Sequence, residues 1–168
     1  SYSDTYKWKF EQVSIVAPFA TGAHRVASAK DKTKYWHIKN NSAEERKPLE
    51  LLSYTSAYAM VYQWQFTKNS DNTYYIQNVS SKLYVHPIGQ STQNGTRLEQ
   101  LQYNPAYSPY YKWIITPGTA AGSYKIISVA DPTKIIHLSG HTAAEGNEIE
   151  ILLINKGYEN TYEWILWQ

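Results

Sequence analysis

The stretch H86-P-I-G-Q-S-T-Q-N-G-T-R-L-E99-Q-L-Q-Y-N-P-A-Y107-S-P-Y-Y111-K-W113 sets a histidine, a glutamate, two tyrosines and a tryptophan at fixed offsets. The same five residue types recur at the same spacing upstream, as His37, Glu50, Tyr58, Tyr62 and Trp64. They recur again downstream, as His137, Glu150, Tyr158, Tyr162 and Trp164. Five matched positions in three gapless copies mark an internal triplication, and a repeat of this length constrains a fold more than any single motif does. Working outward, three longer segments align ahead of these positions, beginning at His24, Tyr74 and Tyr124.

Within each repeat the apolar residues alternate or come in short bursts, as in Leu49-Glu50-Leu51-Leu52 and Trp64-Gln65-Phe66, separated by Asn, Gly, Pro, Asp and Ser. That pattern predicts about four short strands per repeat. Helical periodicity is missing, and only Ser42 to Leu52, opening on S-A-E-E like a capping box, competes as a helix. Its counterparts contain Asn94-Gly95 and Glu145-Gly146, so it is read as a turn followed by a strand. About twelve strands are too many for one flat sheet and too tightly looped for stacked crossovers. A three-bladed propeller has the same strand number, but propellers carry four or more blades. Closure into a barrel with three-fold pseudosymmetry removes the exposed edges. The expected fold is therefore all-β, a β-trefoil of three pseudo-symmetric units of four strands. Residues 1–168 form a single domain in this reading, with units at approximately 9–66, 67–115 and 116–168.

Composition narrows the function. The chain has 168 residues, enough for one core, and its net charge of +2 comes without any basic run interleaved with aromatics. Nucleic acid is not an expected partner. No apolar window is long enough to cross a bilayer, so membrane insertion is not expected either. Cysteine is absent, which excludes disulfides, cysteine nucleophiles and thiolate metal sites and points to a reducing, cytoplasmic setting. A secreted chain stripped of its leader has the same composition. The triplets Asn40-Asn41-Ser42, Asn78-Val79-Ser80 and Asn94-Gly95-Thr96 would be glycosylated only in that second case.

In the second unit, L83-Y-V-H86-P is followed by S91-T-Q-N94-G95-T96-R-L98-E and then by Y111-K-W113. These residues resemble the ricin-type, or R-type, lectins, and in particular their cysteine-free fungal members. The resemblance covers essentially the whole chain. It implies a β-trefoil and sugar sites built from an Asp, a Gln, an aromatic ring and an Asn in each unit. The Asp position holds His37, His86 and His137, and the Gln position holds Glu50, Glu99 and Glu150. The aromatic position holds Leu52, Leu101 and Leu152, while the Asn position holds Val61, Tyr110 and Thr161. The scaffold thus matches more closely than the site.

Each repeated residue has a structural and a functional reading. Trp64, Trp113 and Trp164 are expected to fill the barrel interior, and Tyr62, Tyr111 and Tyr162, two residues earlier on the same strand face, to close backbone hydrogen bonds near turns. Tyr58, Tyr107 and Tyr158 sit in loops where a ring can offer a stacking face to a sugar or pin the loop by packing. Each His–Glu pair could bind vicinal hydroxyls or hold its own hairpin together. One His and one Glu per unit make an incomplete metal shell, and no nucleophile or second carboxylate recurs beside them, so neither a metal, a cofactor nor catalysis is expected.

Two functions follow. The leading one is a glycan-binding protein with up to three shallow sugar sites, galactose- or GalNAc-type by the resemblance. Its site candidates are His37, Glu50, Tyr58, His86, Asn94, Glu99, Tyr107, Tyr110, His137, Glu150 and Tyr158. The alternative is a β-trefoil inhibitor of serine or cysteine proteases acting through one loop, Glu45-Arg46-Lys47-Pro48 or Pro105-Ala106-Tyr107-Ser108-Pro109. A purely structural or toxin-associated module is a third reading. Tyr2, Tyr6 and Trp8 form a fourth copy of the aromatic spacing, and a homodimer through this N-terminal segment is an expectation.

Overall fold

A computed structural model describes residues 21–168. Among them, twelve strands fall into three sets of four. The first set is β1 (Gly22–Ser28), β2 (Lys34–Ile38), β3 (Lys47–Ser53) and β4 (Gln63–Lys68). The second is β5 (Tyr74–Asn78), β6 (Tyr84–Pro87), β7 (Thr96–Leu101) and β8 (Lys112–Pro117). The third is β9 (Ser123–Ser128), β10 (Lys134–Leu138), β11 (Ile149–Leu153) and β12 (Glu163–Trp167). The copy at Tyr2, Tyr6 and Trp8, and the dimer expected through it, lie outside the described residues.

The first and last strands of the sets make the barrel. β1 pairs with β4 and β12, β4 with β5, β5 with β8, β8 with β9 and β9 with β12, so six antiparallel strands close without a free edge. The inner strands form three hairpins, β2–β3, β6–β7 and β10–β11. These join one another in a second ring, through β3–β7, β7–β11 and a bridge between Glu50 and Glu148. The architecture is a β-trefoil.

Alternation drives the strands inward. In β5, Tyr74, Ile76 and Asn78 are buried while Tyr75 and Gln77 are partly exposed, the period-2 signature of a half-buried strand. Trp64, Trp113 and Trp164 are all fully buried. Trp36 packs edge-on against Trp64 and Trp164, with ring centroids 5.7 and 5.1 Å away. Val85 and Ile136 stand at the positions equivalent to Trp36, so one large ring and two aliphatic side chains share that layer. The hydroxyls of Tyr62, Tyr111 and Tyr162 donate to the carbonyls of Ser53, Gln102 and Asn155 at 2.8, 2.8 and 3.2 Å, as their positions before a turn led one to expect.

The loops ahead of the three tryptophans coil rather than wander. They contain 3₁₀ turns at Ser56–Tyr62, Pro105–Tyr111 and Glu159–Thr161. In the second, the Asn104 side chain accepts from the Ala106 N–H and Pro105 presets the backbone of the first residue. Ser42 to Leu52 is a turn followed by β3, whose last turn residue, Arg46, has φ +62°. The equivalent residues are Gly95 at +80° and Gly146 at +71°. Glycine is the residue expected at such a left-handed position.

Candidate functional site

Each inner hairpin places its His and Glu directly across from one another, as His37↔Glu50, His86↔Glu99 and His137↔Glu150. The ring Nδ1 lies 3.1 Å from the carboxylate in the first pair and 3.3 Å in the second, both hydrogen bonds. In the third the separation is 3.7 Å, beyond hydrogen-bond range, and His137 Nδ1 has no hydrogen-bond partner. All six side chains are buried, so these pairs form a floor rather than a surface. Glu150 is held below the usual carboxylate range: burial opposes its charge, but contacts from His137 and Ser139 and the nearby Arg97 outweigh it.

Just past β2, β6 and β10 the chain curls through two successive left-handed residues, Asn40–Asn41, Gly89–Gln90 and Gly140–His141. The curl returns the second side chain to the histidine. Asn41 Oδ1 lies 2.7 Å from His37 Nε2, and His141 Nδ1 lies 3.0 Å from His137 Nε2, which Thr161 Oγ1 also meets at 2.8 Å. In the second unit Gln90 makes no such bond, and Nε2 of His86 is buried with no hydrogen-bond partner. A carboxylate only accepts, so Nδ1 of His86 donates to Glu99, while Nε2 makes no hydrogen bond.

In the loops that follow these hairpins, Tyr58, Tyr107 and Tyr158 are exposed to 51, 44 and 45%. Tyr158 stacks on His141 with ring centroids 4.5 Å apart, so one of its faces is occupied. Neither Tyr58 nor Tyr107 stacks on another ring among the described residues. Tyr110 is half-buried and leans toward His86 at 6.4 Å. The buried hydroxyls of Tyr62, Tyr111 and Tyr162 have their pKa raised, chiefly by burial, and remain donors.

The hairpin tips connect neighbouring units. The N–H groups of Arg46, Gly95 and Gly146 donate to the carbonyls of Gln100, Ile151 and Leu51 at 2.8, 2.9 and 2.8 Å, so each tip docks on the next unit. Side chains of the tips themselves reinforce two of these junctions. Asn94 accepts from Lys134 Nζ at 2.9 Å and from the Leu153 N–H at 3.1 Å. Glu145 accepts from Lys34 and from the Ser53 hydroxyl and N–H. Asn94, a predicted sugar contact, is therefore part of a junction. At the third junction the tip residue is Glu45, and Leu83 holds the position that is Lys34 and Lys134 in the other units. Two adjoining clefts of about 450 and about 300 Å³ open there, sharing Arg46, Gln90 and Leu101, and the larger reaches Tyr103, Tyr107 and Tyr111.

Sequence reading passed over Gln90, Gln100 and Leu83. Their signal was present in the alignment, as departures from the other two copies at otherwise matched positions. The two loops considered for a protease cleft are not extended: Arg46 is left-handed and docked, and Pro105–Tyr111 is coiled.

A separate cleft of about 320 Å³ lies against Glu163. That buried carboxylate is already engaged by the N–H groups of Thr119 and Ala120 and the hydroxyls of Thr119 and Ser123. Burial works against its charge, but these donors outweigh it and hold the carboxyl below its usual range. Among the described residues no three His, Asp or Glu side chains gather as a metal site, and no helix is long and apolar enough to cross a membrane.

Comparison with known proteins agrees with this frame. No curated protein matches the sequence. Among solved structures, a designed three-fold symmetric protein, ThreeFoil, superposes with a TM-score of 0.78 at 17% identity, over 88% of this chain and 99% of its own. The Rhizoctonia solani agglutinin gives 0.73 at 14% identity, over 89% and 96%. The Macrolepiota procera ricin B-like lectin, solved in complex with lactose, gives 0.71 at 17% identity, over 89% and 97%. At these identities the likeness is one of fold. The sequence profile described as ricin-type beta-trefoil lectin domain-like matches residues 62–152, more than half of the chain, and the protein belongs to that family.

Proposed function

We propose that the protein binds glycans as a lectin, through up to three shallow sites on the rim of the trefoil, and acts by binding rather than by catalysis. The observation that carries this reading is one exposed tyrosine per unit, at one offset, on the loop that follows each hairpin with its buried His–Glu pair. A tyrosine ring stacks on the apolar face of a sugar, and its hydroxyl keeps the exposed edge wet. The leucines at the family's aromatic position are too small and too aliphatic for that task, and the displaced tyrosines take it over. The lactose held by the Macrolepiota procera lectin supports galactose- or GalNAc-type glycans as the ligand class. Glycans or glycoproteins are then the partners, and several weak sites on one rigid frame give useful avidity.

The second unit is the best equipped of the three. Tyr107 stacks on no other ring among the described residues, the larger cleft adjoins it, and His86 has a ring nitrogen without a hydrogen-bond partner. In the third unit His141 already covers Tyr158.

A glycan array tests the proposal. Tyr107→Ala should lose most retention of galactose-terminated glycans, while its melting temperature stays near that of the parent, because an exposed side chain contributes within about 0.5 kcal/mol. A parent protein that retains no glycan, or three tyrosine variants that retain as much as the parent, would overturn it.

A further inference from the structure

The junction between the first and second units differs from the other two in a way that suits a ligand. Its backbone is fixed by a buried side chain as well as by the main chain. Besides the Arg46 N–H bond to Gln100, the Gln100 side chain donates to the carbonyls of Ser42 and Glu44 at 2.9 and 2.7 Å, and accepts from Ser81 Oγ at 2.7 Å. Leu51 and Ile151 occupy the equivalent positions and can do none of this. Gln100 is itself fully buried. The tip is thus clamped from below by a residue peculiar to this unit.

Its side chains, by contrast, are uncommitted. Glu45 and Arg46 make no hydrogen bond or ion pair with any described residue, whereas Asn94 and Glu145 at the equivalent place both grip a lysine. Leu83 removes the lysine that would have held Glu45. Arg46 also retains a left-handed backbone in which its two counterparts are glycine, so a charged side chain stands where the fold favours none. Both charged groups line the larger cleft, as do Tyr103 and Tyr107. A fixed backbone presenting an idle acceptor and an idle donor is preorganised for recognition.

We infer that Glu45 and Arg46 of the first unit form the specificity wall of the second unit's glycan site, and that they grip two adjacent hydroxyls of a neutral sugar. This rests on the lectin reading above. Each hydroxyl of a vicinal pair donates and accepts, so one gives its proton to the Glu45 carboxylate and the other receives a hydrogen bond from the Arg46 guanidinium. The two adjoining opposite charges leave no net field to attract an ionic ligand. A neutral diol uses both groups, while a sulfate or a sialic acid carboxylate would use Arg46 and meet repulsion from Glu45.

Three variants test this with lactose and GalNAc conjugated to a sensor surface, beside sialylated and sulfated conjugates. Arg46→Gly restores the residue of the other tips, so its melting temperature should hold or rise; Glu45→Gln should be neutral for folding. Each is expected to weaken neutral-sugar binding by about tenfold, the loss of a hydrogen bond or two. Leu83→Lys supplies the missing partner for Glu45 and should weaken binding as well. Binding that is unchanged in all three, while Tyr107→Ala abolishes it, would overturn the wall and leave the lectin reading standing. A parent that binds only the sialylated or sulfated conjugates would overturn the neutral-diol assignment. A parent that binds no conjugate would overturn the lectin reading and this inference with it.

Discussion

The tip of the third unit and the tip of the first occupy equivalent places and dock through the same backbone bond, yet they use their carboxylates in opposite ways. Glu145 closes its junction on Lys34 and Ser53; Glu45 closes on no described residue. The difference teaches that the main chain fixes where a tip lies, while side chains decide whether the junction is sealed or open. Beneath both tips the barrel interior follows stricter rules. There, close packing constrains every side chain by its neighbours, and the repeated tryptophans hold identical offsets. At the solvent-facing tips a change of side chain is inexpensive, so one of three copies was free to specialise.

The largest effect that can separate frame from tip is in the core. Trp164→Ala removes a fully buried indole that touches Trp36 and donates to the Ile136 carbonyl at 3.1 Å. It should cost about 3–5 kcal/mol, read by denaturant titration, and no tip substitution should approach it.

Glu163 is next, as a carboxylate that is wholly committed. Glu163→Gln weakens a set of charge-assisted hydrogen bonds and should cost about 2 kcal/mol at neutral pH. Because the folded carboxyl is held below its usual pKa, its contribution is fully present above the unfolded value of about 4.3 and is lost as pH falls through the lower folded value. The gap between parent and variant should therefore be widest near pH 7 and narrow steadily below about pH 4; a gap that widened with acid would contradict this assignment.

The smallest effect falls on the sealed tip. Glu145→Ala breaks a partly exposed ion pair and should cost about 0.5 kcal/mol, with glycan retention unchanged because Glu145 stands away from the open clefts.

Much of this molecule was legible in its sequence. The gapless spacing of His37, Glu50, Tyr62 and Trp64 with their later copies reports a symmetry that only a closed three-fold frame satisfies, and the turn dipeptides at Asn94-Gly95 and Glu145-Gly146 settled Ser42–Leu52 as turn and strand. Burial of the His–Glu pairs was less legible. Alternation tells which residues share a face but not how deeply a polar pair is covered by the curl that follows it. The open junction was least legible, because it is defined by what one copy lacks. Leu83 acquires meaning only beside the lysines of the other units, and Gln100 among aliphatic residues only when register brings it to the Ser42–Arg46 turn.

The cyclic docking of the tips has a consequence for how such a chain is assembled. Every inner hairpin lends backbone donors to the following unit and borrows acceptors from it, and the third returns to the first. A single excised unit would leave these groups unmatched and half of its apolar face wet. It should therefore have no folded monomer, and should become ordered only where three copies meet, with the concentration dependence of a third-order association.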